Sequence, residues 1–495
     1  MLTKDKTTLT PPAILGSMSS YSTGVRFALY PSLAQASVLR QWIGCQRVIY
    51  NAKVAEDQYF STFRRQALSL TGEPTPLDQQ YAQFKTELTP WLSEVPSQIL
   101  RNGAVRWRNA KQRQLQGLAG APVKRRAHGR QAVLITNELF QFVADEQDGH
   151  VLLLGTPKFP VGALRFTAHR PYQLPKQVVI SVEAGRWYVS FSFEVASAGV
   201  DVLRSPEELA YEFNNWSDAE LLTVTAGYDR GVVNRLADSA GLFYPVDPKV
   251  TLRVQRKEVQ TRRYQRKLAR QVKGSTNRNK TKVKLARLQN YRARCAQDWA
   301  HKTSYALVTS GTKVHVLEAL QVANMTKRSK PKTENGKWVR NGAAAKSGLN
   351  KAILGSAWGR LALYLNYKAT RRNQLVLVVP PHYSSQECSE CHYTHADNRA
   401  TQALFVCQRC GFTTHADTNA SRVLRARGIA QLRAGVVVVK PRKRIAIRRT
   451  SQPGAGCSGM SVERQDKSGL EHHAPGTHAA SKQKIENCEV RSTVL

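Results

Sequence analysis

The sequence predicts a multidomain protein that joins an α/β unit to a β unit carrying a block of helices. Three observations predict it. The chain has 495 residues, more than one hydrophobic core usually serves, and is 41% apolar, enough to bury several cores. Between about 131 and 198 the texture changes to short β-type runs, VLIT, HVLLLG, GALRFTAH, KQVVISVE and RWYVSFSFEV, separated by Gly, Pro and polar residues. From 219 onward, apolar runs that end in or contain an acid alternate with helical patterns.

YSTGVRFALY, at 21–30, reads as a short opening strand. A helix follows in which Leu39, Trp42, Ile43, Val48, Ile49 and Val54 recur at helical spacing. TGEPTPLD at 71–78 is a turn-rich break, after which helical character resumes toward 118. A β unit at 131–198 fits a small barrel or curled antiparallel sheet, with the helical block inserted after its first strand. AELLTVTAGYD at 219–229 reads as an apolar strand ending in an acid. Residues 251–300 then read as two long helices broken at Gly274, Ser275, Asn277 and Asn279. HVLEALQVANM at 315–325 reads as a strand with an internal acid, followed by a basic loop at 326–343 and a helix to about 370. QLVLVVP at 374–380 has the unbroken apolar character of a central strand. A helix begins near Thr414, and from about 451 the Gly, Ser, Pro and His content predicts a disordered tail.

Charge narrows the function. Seventy-four Lys and Arg against 35 Asp and Glu give a net +39, and residues 251–300 alone hold 16 basic residues and two acids. Such an excess implies a polyanionic partner, since nucleic-acid phosphates neutralise it. Arg106 and Arg108 flank Trp107, and Lys124, Arg125 and Arg126 form a run. These, with Arg262, Arg266 and Lys267 on the basic helices, are the candidate nucleic-acid contacts. The competing readings are a buried Trp107 with solvated arginines, and a solvated helical hairpin. The opening 20 residues lack a secretion signature and no run of 18 uncharged apolar residues occurs, so a cytoplasmic protein without membrane partners is expected.

Two constellations carry chemistry. Cys388, Cys391, Cys407 and Cys410 form two CxxC pairs fifteen residues apart, the ligand number and spacing of a closed, structural tetrahedral Zn²⁺ site. That set leaves His392, His395 and His415 no ligand role. Asp229, Glu318 and Asp417 each stand in or beside an element of the α/β unit. Three carboxylates brought together would suit hard Mg²⁺ ions of the kind that act in pairs in phosphodiester hydrolysis. Singly, each acid would read as surface or cap.

These residues carry a resemblance. GYDRG around Asp229, LEALQVANM around Glu318 and HADTNASRVL around Asp417 resemble the three RuvC motifs of the TnpB family, encoded by insertion sequences, and of the related compact type V CRISPR effectors. KSGLNKAILGSAWGRLALYLNYKA, VPPHYSSQECSEC and FVCQRCGFTTHAD are similar to the same family. LYPSLAQASVLRQWIGCQRVIYNAKV, with Gln35, Leu39, Trp42, Cys45, Arg47, Tyr50 and Asn51, resembles its opening. The likeness covers about 24–60 and 219–435. Arg230 after the first acid and His415 before the third depart from the family pattern.

The resemblance implies a ribonuclease H-like (RuvC) nuclease with an inserted zinc ribbon, and a β-barrel wedge domain carrying an inserted helical recognition lobe. The boundaries would be a flexible N-terminus at 1–20, the first wedge strand at 21–34, the helical lobe at 35–130 and the wedge barrel at 131–210. The nuclease would occupy 211–382, with its basic hairpin at 251–305. The zinc ribbon would follow at 383–413, the C-terminal nuclease segment at 414–450 and the tail at 451–495. The implied activity is RNA-guided cutting of double-stranded DNA, and of single strands, with Asp229, Glu318 and Asp417 holding two Mg²⁺ ions. Guide RNA and target DNA would be the partners, with one or two protein copies on each RNA, in a prokaryotic cytoplasm at the nucleoid. The alternatives are a transposase that joins DNA ends without RNA, a basic zinc-binding module, and a guided binder that does not cut.

Overall fold

The computed structural model describes residues 20–66, 77–127, 129–145, 149–196 and 202–435. Most of the expected flexible N-terminus, the basic stretch after 435 and the tail lie outside the described residues.

Strand β1 (Ser20–Tyr30) is the first element of the described residues, followed by helices α1 (Leu33–Gln66) and α2 (Ser97–Leu115). Six strands follow: β2 (Gln131–Thr136), β3 (Phe140–Asp145), β4 (Gly149–Thr156), β5 (Phe159–Thr167), β6 (Gln177–Glu183) and β7 (Arg186–Ala196). All seven form one antiparallel sheet in the order β2-β6-β7-β1-β5-β4-β3. β1 therefore pairs with strands more than 130 residues away, Phe27 opposite Val189 and Ala28 opposite Thr167, while the helices stand between it and β2. The edge strands β2 and β3 are joined through only three residues, Asn137–Leu139, so the sheet must curl to bring its edges together. No β2–β3 ladder closes it among the described residues. Its concave face and the apolar sides of α1 and α2 share one core, with Phe27, Leu39, Trp42, Ile99, Val133 and Leu164 fully buried or nearly so.

After α3 (Pro206–Asn214) and α4 (Asp218–Val224), the chain builds a second sheet from β8 (Thr225–Asp229), β9 (Ala237–Asp238), β10 (Val314–Glu318) and a later strand. Two long helices separate β9 from β10: α5 (Pro248–Arg270) and α6 (Thr276–Thr309). Beyond β10 come α7 (Val322–Met325), a hairpin of β11 (Lys332–Glu334) and β12 (Lys337–Val339), α8 (Ala343–Gly355), α9 (Trp358–Thr370) and then β13 (Leu375–Val379). Finally β14 (Leu404–Val406) and β15 (Thr413–His415) pair antiparallel ahead of α10 (Ala416–Arg433). β13, β10 and β8 are parallel neighbours and β9 runs antiparallel at the edge.

Side chains on opposite faces of this sheet enter different cores. Val314 and Val316 pack with α3 and α10, and Leu317 and Tyr228 pack with α6 and α9, a three-layer arrangement. The expected apolar strand at 219–229 is strand only from Thr225. Ser217 and Glu220 form a capping box that starts α4, a signal present in the sequence as S-x-x-E. The run at 315–325 likewise stops being strand at Glu318, and the single helix expected to reach 370 breaks at Ala357, whose φ is +62°.

Candidate active site and cysteine centre

Parallel pairing sets Leu317 opposite Tyr228, so the next residues, Glu318 and Asp229, stand side by side at the C-terminal ends of β10 and β8. Asp417 arrives on the first turn of α10. Two glycines allow that helix to lie close on the sheet. A methyl group on Gly227 would strike the Ser421 carbonyl and the Arg425 N–H, and one on Gly428 would strike Val316. Ser421 couples two of the acids: its Oγ accepts the Asp229 N–H at 3.2 Å and lies 2.7 Å from the Asp417 carbonyl, to which it can donate.

Each acid has fixed neighbours. The Arg230 N–H donates to Glu318 Oε1 at 3.0 Å, and the buried Arg230 guanidinium donates to the Glu318 carbonyl. Asn234 Nδ2 donates to Asp417 Oδ2 at 2.9 Å, and Arg399, from between the cysteine pairs, stands 3.8 Å from Asp417 Oδ1. His415 caps α10, its Nδ1 accepting the Asp417 N–H at 3.2 Å while its ring meets Phe243 edge-on. Burial, then the charges of Glu318 and Asp417, then a side-chain hydrogen bond to Glu318, push the Asp229 carboxyl well above the usual range against the opposing charge of Arg399. Burial also raises Glu318, while the charge and N–H of Arg230 pull it back. Buried carboxylates that repel one another are stabilised in their charged form by a divalent cation, so this donor set fits hard, oxygen-preferring ions.

The cysteine centre is built locally. Cys388 Sγ lies 3.7 Å from Cys410 Sγ and Cys391 Sγ lies 3.5 Å from Cys407 Sγ, with all four sulfurs within 4.8 Å of one another. Tetrahedral zinc with bonds of about 2.3 Å requires sulfurs about 3.8 Å apart, so the four could bind zinc. Both knuckles use the same backbone plan. The N–H of His392 returns to the Cys388 carbonyl and that of Gly411 to the Cys407 carbonyl, each at 3.0 Å and each from a residue with positive φ. At Cys407, burial raises the thiol, but hydrogen bonds from the N–H groups of Cys410 and Arg409 and with the Cys391 and Cys410 thiols together hold it down at about 6, while burial pushes Cys388 up to about 12.

A link joins the two centres. Asn419, fully buried and two residues beyond Asp417, donates to the Glu387 carbonyl at 2.7 Å and accepts the Ser389 N–H at 3.0 Å. Sequence reasoning singled out none of Asn234, Arg399, Asn419 and Ser421. The last two lie inside the HADTNASRVL motif and could have been found there; Asn234 and Arg399 carry no sequence signal.

The candidate nucleic-acid residues divide. Lys124, Arg126, Arg262, Arg266 and Lys267 are exposed. Arg106 is half-buried and donates to Gln46 Oε1 at 3.1 Å and the Ala132 carbonyl at 3.2 Å, tying α2 to α1 and β2. Burial and the charges of Arg125 and Arg130 bring its guanidinium down to about 10. Trp107 is buried against Tyr50 and Val54, as the core reading expects, but Arg106 is not in solvent as that reading also required. Arg108 is partly exposed, and the Arg125 guanidinium covers the Tyr50 ring at 3.7 Å.

Family models match in three places: "Cas12f1-like, TNB domain" over 358–424, "Probable transposase" (OrfB of IS605) over 209–329 and "Helix-turn-helix domain" over 18–59. In the last, the described residues form β1 and one unbroken helix. The chain is 29% identical to the Escherichia coli K12 protein "Putative RNA-guided DNA endonuclease InsQ", over 83% of this chain and 94% of that one. The Streptomyces pristinaespiralis protein "Putative RNA-guided DNA endonuclease" is 26% identical over 84% of this chain and 92% of that one. A Cas12f1 endodeoxyribonuclease of Sulfoacidibacillus thermotolerans is 45% identical over 56 residues, covering 11% and 13%. Among solved structures, a Cas12f1–sgRNA–target DNA complex is 11% identical with a TM-score of 0.49, covering 82% of this chain and 99% of that one. By these matches the chain is similar both to the TnpB-type proteins of insertion sequences and to the compact type V effectors. No helix among the described residues is long and apolar enough to cross a membrane.

Proposed function

We propose that the protein is an RNA-guided, metal-dependent endonuclease that cuts double-stranded DNA, and single strands, at Asp229, Glu318 and Asp417. The observation that carries this reading is the convergence of three acids from distant stretches of sequence at one end of a parallel sheet. In this reading residues 211–382 and 414–450 are the RuvC-like nuclease, with a zinc ribbon at 383–413 held by one structural ion. The curled sheet is the wedge, and α1 and α2 belong to the helical recognition lobe. The names of the full-length relatives support guidance by RNA and DNA as the substrate.

The residues divide the work. Asp229, Glu318 and Asp417 would hold two Mg²⁺ ions, which would supply the charge that activates water and stabilises the phosphoryl transition state. Arg230 fixes Oε1 of Glu318 and Asn234 fixes Oδ2 of Asp417, so each carboxylate is oriented before substrate enters. Arg399 offsets part of the acid charge. The exposed cations of α5, with sixteen basic residues in 251–300, give a phosphate-binding face that positions nucleic acid and leaves sequence reading to base pairing.

The test is to purify the chain from its native locus context, sequence the RNA that copurifies, and challenge the complex with a DNA library and Mg²⁺. Guide-matched cuts that vanish in Asp229→Ala are expected. A defined RNA without cleavage, or joining of DNA ends without RNA, would refute the reading.

A further inference from the structure

Away from the acids, a cavity of about 850 Å³ opens where β1 and the segment after β5 meet α6 and α9. Lys313 and Gln374, the residues just before β10 and β13, form part of its wall. It therefore lies at the N-terminal end of the parallel strands, five residues or roughly 16 Å from Glu318. Six cations line it, Arg170, Lys302, Lys313, Lys368, Arg371 and Arg372, and no carboxylate does. Among the described residues Lys302 alone of these six has an acidic partner, Asp298 at 2.9 Å. Among the described residues the other five have no ion pair, and Lys368 is held instead by the His301 carbonyl and Ser304 Oγ.

Aromatic rings face the same space. Arg371 covers Tyr21 at 4.1 Å and Tyr367 at 5.0 Å, and Arg372 covers Tyr305 at 5.7 Å. Burial and the neighbouring charge of Arg372 pull the Lys368 ammonium down to about 8, and burial with the charges of Lys368 and Arg170 lowers His301. Cations crowded together without acids are relieved by an anion, and tyrosine faces beside them accept a stacked base.

We propose that this cavity holds an unpaired nucleotide of the RNA that the protein carries, its base against Tyr305 or Tyr367 and its phosphate among Arg170, Arg371 and Arg372. The inference rests on the RNA-guided reading and adds a site to it. RNA is favoured over the cleaved DNA because the sheet separates the cavity from the acids. Its walls also join β1 of the first sheet to the residues that lead into β10 and β13 of the second, which suits a partner held throughout the reaction cycle.

The test uses the full chain, EDTA and a decauridylate RNA carrying 4-thiouridine, photo-crosslinked and mapped by peptide mass spectrometry. Adducts on the Tyr305 or Tyr367 peptides are expected. Arg371→Ala with Arg372→Ala should lower their yield about tenfold, leaving adducts on α5 unchanged. Arg371 also donates to the Ser22 carbonyl, so Lys313→Gln serves as the variant that leaves the fold alone; it should lower the yield about threefold. Absence of these adducts in folded protein, equal labelling by a 4-thiothymidine DNA decamer, or displacement of the RNA by micromolar uridine monophosphate would each overturn the proposal. Because the readout needs no cleavage, an inactive nuclease that still gives these adducts would refute only the endonuclease reading. A chain with Asp229-dependent guided cutting and no adducts would refute only this one.

Discussion

The two centres of this chain lie close together and are built in opposite ways. The four cysteines come from a window of 23 residues, and each pair is positioned by its own knuckle, a short loop whose hydrogen bonds can be drawn from spacing alone. The three acids are 89 and 99 residues apart, and only parallel pairing of β8 with β10 and the seating of α10 unite them. The first centre is a property of a motif and the second a property of the fold, so they should fail differently when disturbed.

The largest effect should come from removing metal from the local centre. Cys407→Ala, or chelation of the proposed zinc, is expected to unfold the 383–413 segment, a loss on the order of 10 kcal/mol of ligand-coupled folding. Zinc stoichiometry and protease sensitivity of that segment would report it. Next is the device that seats α10. Gly227→Ala forces a methyl group onto helix backbone and should lower unfolding stability by about 3 kcal/mol, as denaturant melts would measure, with zinc still bound.

A third effect is graded by pH. His315, buried in β10 beneath the acids between Tyr228 and Gln374, is held down to about 4 by burial. An unfolded histidine takes its proton near 6.5. Stability from the neutral ring is therefore complete above that pH and declines as pH falls from about 6.5 to 4, by at most about 3 kcal/mol. The same melts on His315→Gln should show that part of the slope flattened.

Asn419→Ala cuts the link between the centres and leaves the Glu387 carbonyl and Ser389 N–H unpartnered, for about 2 kcal/mol. Zinc should stay bound while guided cleavage slows, a split that would separate the centres experimentally. The smallest change in stability, within about 0.5 kcal/mol, is expected from removing Arg262, Arg266 and Lys267. There the readout is nucleic-acid affinity, whose dependence on salt should become shallower by about two to three in log–log slope.

The same contrast governs what could be read from the chain before its fold was known. CSEC and CQRC announce ligand number directly, and helical spacing at Leu39, Trp42 and Ile43 announces the face of α1 that becomes core. The acids were readable as members of a family pattern, but nothing local places Asp229 beside Glu318; that depends on the register of strands separated by α5 and α6. Arg399 was invisible for the same reason, since its approach to Asp417 requires β14 and β15 to fold back first. Arg106 misleads for a different reason: a basic residue in a basic stretch suggests a solvent face, yet the fold uses its guanidinium to satisfy buried Gln46. The capping box at Ser217 and Glu220 stands in the sequence as S-x-x-E and starts α4, yet the apolar run at 219–229 reads as strand throughout because its apolar content outweighs that signal.

The central claim is that three acids far apart in sequence make one cation centre. The most direct measurement is electron paramagnetic resonance counting of bound Mn²⁺ in the intact chain and in Asp229→Asn, Glu318→Gln and Asp417→Asn. Two ions per chain are expected in the unaltered protein, with binding weakened about 100-fold by each single substitution while the melting temperature stays level or rises as the mutual repulsion is relieved. Undiminished Mn²⁺ binding in any one of the three folded variants would remove that acid from the centre and contradict the account.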